Sequence, residues 1–110
     1  MFVARWQFTS QFGKVDDVVS ILRKWEIDVG ERVGWKTTQV RLVTGVVGAG
    51  SASIEFEVRV DSLADLESAW VDMERNPHHH EYMKKLGSVI VSGTAHWTVH
   101  REIDVIPAES

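Results

Sequence analysis

The chain has 110 residues, 44% hydrophobic and 25% charged, with a formal charge of −4, ordinary values for one soluble globular domain and unlike those of a disordered tail. No Lys/Arg block supplies the positive surface that phosphate backbones require, so nucleic acid is excluded as an expected partner. Cysteine is absent, which removes disulfide frameworks, thiolate metal sites and cysteine nucleophiles and fits a cytoplasmic setting.

The opening stretch MFVARWQF carries Arg5 and lacks the apolar block and cleavage site of a signal peptide. From Phe2 to Phe8 it alternates: Phe2, Ala4, Trp6 and Phe8 point one way, Val3, Arg5 and Gln7 the other, the pattern of a half-buried strand. After TSQFG the period lengthens. Val15, Val18, Val19, Leu22, Trp25 and Val29 recur at three and four residues, which predicts one helical face from about Lys14 to about Arg32. Asp16 and Asp17 suit the positive end of that helix, and Gly34 stands where the chain would reverse. No apolar run approaches the ~20 residues of a spanning helix, so no membrane partner is expected.

Residues 35–45 (WKTTQVRLVTG) and 51–60 (SASIEFEVRV) return to a period of two on either side of a glycine-rich hairpin connection. Gly45, Gly48 and Gly50 join two strands and no Gly-Lys-Ser/Thr follows, which argues against a phosphate loop. DSLADLESAWVDMERN sets Leu63, Leu66, Ala69, Trp70 and Met73 on one stripe behind the cap Ser62. Asn76 and Pro77 then open a second helical piece, NPHHHEYMKKLG, which Gly87 would end. The last strand, 91–103, puts Ala95, Trp97 and Val99 on one face and His96, Thr98 and His100 on the other.

The order β-α-β-β-α-β, with a broken second helix, predicts a single domain over residues 1–110. Its class is α+β: a ferredoxin-like sandwich with an antiparallel sheet, strand order 4-1-3-2, and the helices on one face. The other face would carry Arg5, Gln7, Glu55, Glu57, Arg59, His96, Thr98 and His100, with Gln39, Arg41 and Trp35 added by strand 2. It is polar and mixed in sign.

This element order, the DSLADLESAW entry into the second helix and the stretch NPHHHEYMKKLGSVIVSG together resemble the dimeric α/β-barrel superfamily. That group includes small antibiotic-biosynthesis-type monooxygenases, polyketide cyclases and many proteins of unassigned function. The resemblance covers almost the whole chain and implies a homodimer, in which two sheets pair face to face into a barrel with the helices outside. It also implies a ligand pocket between the sheet and the helices of each subunit, lined by aromatics. The haem-degrading members carry an asparagine on strand 1, which is missing here, and their helical histidine falls near Met83. No cofactor is expected. The cyclase branch is similar in having a histidine on strand 4, here His96 or His100, and a tyrosine after the helix break, here Tyr82; its strand 1 histidine has no counterpart.

Neighbouring residues of a helix diverge by about 100°, so His78, His79 and His80 cannot converge on one ion and no metal is expected. The helical wheel puts His79 near the centre of the face formed by Tyr82, Met83 and Leu86, with Glu81 and Lys85 opposite as an i, i+4 pair. His79 is then either a core histidine satisfied by a carbonyl or water, or a pocket group that orients or deprotonates a ligand. His96 and His100, roughly 13 Å apart along a strand, are either solvated or dimer-facing. Alternatively one of them, beside Arg5 and a carboxylate, is a base of raised pKa. Trp6, Trp25, Trp70 and Trp97 serve core packing or wall an aromatic pocket. The functional expectation is a dimer binding a small aromatic or polyketide-like molecule, with cofactor-independent monooxygenase or cyclase chemistry. His79, Tyr82, His96 and His100 are its catalytic candidates; Trp6, Trp70, Trp97, Met83 and Arg5 are its candidate ligand contacts. The alternative is a non-catalytic dimeric module.

Overall fold

The computed structural model describes residues 1–106; residues 107–110 of the expected domain lie outside the described residues. The elements in order are β1 (Phe2–Thr9), α1 (Val15–Trp25), a π-helical turn (Glu26–Gly30), a 3-10 turn (Glu31–Val33), β2 (Val40–Thr44), β3 (Ser53–Val60), α2 (Leu63–Glu74), α3 (Pro77–Gly87) and β4 (His96–Arg101). The four strands form one antiparallel sheet in the order β2-β3-β1-β4, the order expected of a ferredoxin-like sandwich with this element sequence. Trp6 lies between Phe56 on β3 and Trp97 on β4. The helix-facing phase of the sheet therefore buries Ala4, Trp6, Phe8, Ile54, Phe56 and Val58. Against it pack Val18, Leu22 and Trp25 of α1, Leu66, Ala69 and Met73 of α2, and Tyr82 and Leu86 of α3.

Two caps set where the later helices begin. Ser62 Oγ accepts the Asp65 amide at 3.1 Å, and Asn76 Oδ1 accepts the His78 amide at 2.9 Å with Pro77 at the first helical position. Each satisfies an amide that has no partner within its helix. The second cap fixes the phase of the histidine triplet.

The first helix departs from expectation at its end. Regular α-helix stops at Trp25, and the next five residues form a π turn, whose i to i+5 bonding widens the spiral. The extra residue rotates Glu26 inward, beside Val29 and Gly30, so a carboxyl joins the buried face. Gly34 then adopts φ 95°, a left-handed angle that glycine takes without a Cβ clash. Trp35 follows with its amide bonded to the Gly30 carbonyl at 2.9 Å.

This reversal corrects the expectation for strand 2. Trp35 precedes the strand rather than beginning it, and its indole turns into the core against Trp25 and Phe56, with centroids at 6.0 and 6.4 Å. Burying so large an apolar surface outweighs the alternation that would leave it on the polar face. Strand 4 likewise begins later than expected, at His96. Val99 keeps the predicted phase, opposite Ala4, yet remains 39% exposed. The expected Glu81–Lys85 pair is not formed among the described residues; Lys85 Nζ sits over the Tyr82 ring, 5.3 Å from its centroid.

The far face of the sheet is uncovered in the single chain and holds a charge cluster. Glu57, only 5% exposed, accepts two bonds from Arg41, both at 3.0 Å, and lies 3.6 Å from Arg5 Nε. Gln7 bonds Thr98 at 2.8 Å beside it. Among the described residues, no helix is long and apolar enough to cross a membrane.

Candidate aromatic cleft between the sheet and the helices

At the β4 side of the sheet, under α2 and α3, lies a cleft of about 330 Å³ lined by Trp6, Trp70, Met73, Glu74, His79 and Trp97. Its position follows from three local patterns. Strand alternation turns Trp6 and Trp97 to the same side on neighbouring strands, where they stack at 5.4 Å with planes 5° apart. The spacing 70, 73, 74 puts Trp70, Met73 and Glu74 on one face of α2, and Trp70 meets Trp97 edge-on at 5.5 Å. The Asn76 cap turns His79 inward from the first turn of α3, 6.4 Å from the Trp6 ring centroid.

The triplet therefore divides its work. His78 is exposed. His80 donates from Nε2 to the Glu74 carbonyl at 2.9 Å, satisfying an acceptor at the end of α2. His79 accepts at Nδ1 from the Trp25 indole N–H at 3.0 Å. Burial pushes its pKa below the ordinary 6.5; the neighbouring His80 adds to this and Glu74 opposes it. The net effect favours the neutral imidazole.

Of the residues expected at a site, the structure brings Trp6, Trp70, Trp97 and His79 together. Tyr82 and Met83 lie outside the lining. The Tyr82 hydroxyl donates to Asp28 of the π turn, and that bond, with burial, raises the phenol above its ordinary 10. Arg5 stands on the opposite face of the sheet, between Glu57 and Thr98 in register, so no histidine flanks it. His96 and His100 are exposed on that face, opposite Gln7 and Val3, and His96 turns back to donate from Nδ1 to the Thr94 carbonyl at 2.8 Å.

Four participants escaped the sequence reading. Glu74 continues the Trp70–Met73 face by helical spacing, which is a usable signal. The role of Trp25 as the partner of His79, and the inward turn of Glu26 and Asp28, depend on the π turn, for which the sequence offers no marker. Glu26 is the most perturbed of these. Both its carboxyl oxygens are buried without a partner among the described residues, and burial, then Glu31, raises its pKa from 4.5 to about 7. Gly30 makes this possible, because a Cβ there would fall on Glu26 Oε1. A second hollow of about 390 Å³, between α1 and the edge strand β2, passes beside Glu26.

No family model matches the sequence, and no curated protein matches it. Solved structures do match its shape. A NIPSNAP family protein of unknown function from Agrobacterium tumefaciens superposes with a TM-score of 0.77 at 14% identity, covering 97% of this chain and 92% of that one. An uncharacterized NIPSNAP domain protein from Burkholderia xenovorans gives 0.70 at 14%, covering 98% and 100%. A mutant of SnoaB, a cofactor-independent oxygenase from Streptomyces nogalater, gives 0.69 at 10%, covering 97% of each chain. What the chain shares with these structures is the ferredoxin-like α+β fold. At such identities the likeness speaks for the fold alone. The aromatic cleft and its histidine are properties of this chain's own residues.

Proposed function

We propose that the protein binds a small aromatic or polyketide-like molecule in the cleft and works as a homodimer joined through the open sheet face. One observation carries this reading: three indoles, a thioether and a single imidazole surround a hollow of about 330 Å³. Mostly apolar walls with few polar groups are what a flat organic ligand requires. His79 is the polar anchor, and Glu74 is the one acidic side chain in the lining. By fold analogy with SnoaB, a cofactor-independent oxygenase, monooxygenase chemistry is the kind of conversion such a ligand would undergo, with the cyclase chemistry expected from the sequence as its counterpart. A second copy of the chain would cover the Glu57–Arg41–Arg5 cluster, giving the sheet the second layer that an amphipathic fold needs.

Native mass spectrometry of freshly purified protein tests both parts at once. A dimer with a discrete extra mass supports them, and a monomer defeats the pairing. The rival reading, a non-catalytic dimeric module, draws support from the same charge cluster, which is complete without any ligand. It expects an empty dimer whose tryptophan fluorescence does not respond to titration with naphthalene-sized aromatics.

A further inference from the structure

We infer that Trp25 holds His79 as a hydrogen-bond donor into the cleft, so that the site selects neutral planar aromatic molecules carrying a carbonyl oxygen. The inference rests on the aromatic-ligand reading above and sharpens it to a class of ligand and a positioning residue.

A neutral imidazole has one donor nitrogen and one acceptor, whereas an indole N–H can only donate. With Trp25 Nε1 3.0 Å from His79 Nδ1, Nδ1 must be the acceptor, and the ring proton resides on Nε2. Trp25 cannot swing away to release it: the residue is fully buried, and its ring is wedged against Trp6 and Phe56, each at 5.2 Å. Protonating both nitrogens of His79 would set two N–H groups head to head. Among the described residues nothing bonds Nε2, and His79 lines the cleft.

A donor without a partner is matched when a bound molecule supplies the acceptor. Glu74 decides the charge of that acceptor, because a carboxylate on the wall disfavours an anionic oxygen nearby. A ketone or quinone-type carbonyl fits; a carboxylate or phenolate does not. A base role for His79 would need the proton on Nδ1 and would break the Trp25 bond. Trp25 thus acts through His79 and is a positioning residue.

The test pairs two measurements on the purified protein. Histidine-ring nitrogen NMR at neutral pH should show His79 as the Nε2–H tautomer. Fluorenone and fluorene, alike in shape but for the carbonyl, should differ up to about tenfold in affinity in favour of fluorenone, the effect of one added hydrogen bond. In Trp25→Phe, which keeps an aromatic ring but no donor, the His79 tautomers should mix and the preference should shrink; in His79→Phe the preference should largely vanish. Equal binding of the two compounds by the wild type overturns the acceptor preference and leaves the aromatic-ligand reading standing. Binding of neither overturns both. An Nδ1–H or doubly protonated His79 overturns the positioning role whatever binds, and this needs no variant to fold.

Discussion

Replacing Glu26 with glutamine should stabilise the protein at pH 8 and do little at pH 4.5. The wild-type acid is raised from 4.5 to about 7 by burial and by Glu31, so the folded state holds a proton that the unfolded chain releases. Below 4.5 both states are protonated and the group carries no ionisation cost. As pH rises from 4.5 to about 7 the folded state loses that advantage, and above 7 the full cost of a buried, unpartnered carboxylate remains. At 1.36 kcal/mol per pH unit the displacement corresponds to at most about 3 kcal/mol. Solvent in the neighbouring hollow screens part of it, so about 1–2 kcal/mol is the expected gain for the variant at pH 8. Urea denaturation of both proteins at intervals from pH 4.5 to 8 measures it, and the difference between the two curves removes every other titrating group. A difference that stays constant across this range would refute the reasoning, since it would mean that Glu26 does not bind a proton differently in the two states.

Tyr82 is the only tyrosine, so alkaline difference absorbance reports its phenol alone: the transition should lie above 10, and Asp28→Asn should bring it back toward 10 by removing the bond that raises it. Tyr82→Phe should cost about 1–3 kcal/mol through the unmatched Asp28 carboxylate, yet leave fluorenone affinity unchanged because the side chain lies outside the cleft. Glu57→Gln, which leaves Arg41 and Arg5 facing each other on the sheet, should destabilise by a similar amount and weaken self-association in sedimentation velocity; unaltered association would argue that this face does not form the interface. Asn76→Ala should cost about 1 kcal/mol of thermal stability through loss of the α3 cap.

Where one physical term dominates a segment, the sequence was legible. Alternation located all four strands and assigned Trp6, Phe56 and Trp97 to one side of the sheet, because a one-residue slip would expose every one of them. Ser62 and Asn76–Pro77 located two helix starts, since few residue types can satisfy those amides. Reading failed where neighbouring preferences competed. Residues 35–39 alternate like a strand, but the reversal at Gly34 and the burial of Trp35 prevail, and β2 waits until Val40. Helix 1 keeps an apolar period through Val29 although its backbone widens after Trp25, so the inward turn of Glu26 leaves no trace in the pattern. The site was half visible for the same reason: His79 follows from a helical wheel, but its bond to Trp25 joins residues 54 positions apart, and no local pattern reports that.

The parallel stack of Trp6 on Trp97 also makes the protein its own optical instrument. Two indoles so close, in nearly parallel planes, share their excited states, and a chiral arrangement of coupled transitions gives paired circular-dichroism bands of opposite sign. Because both rings wall the cleft, anything that slides between or beside them must alter that couplet, and occupancy can be followed without a label, a substrate analogue or any knowledge of the reaction.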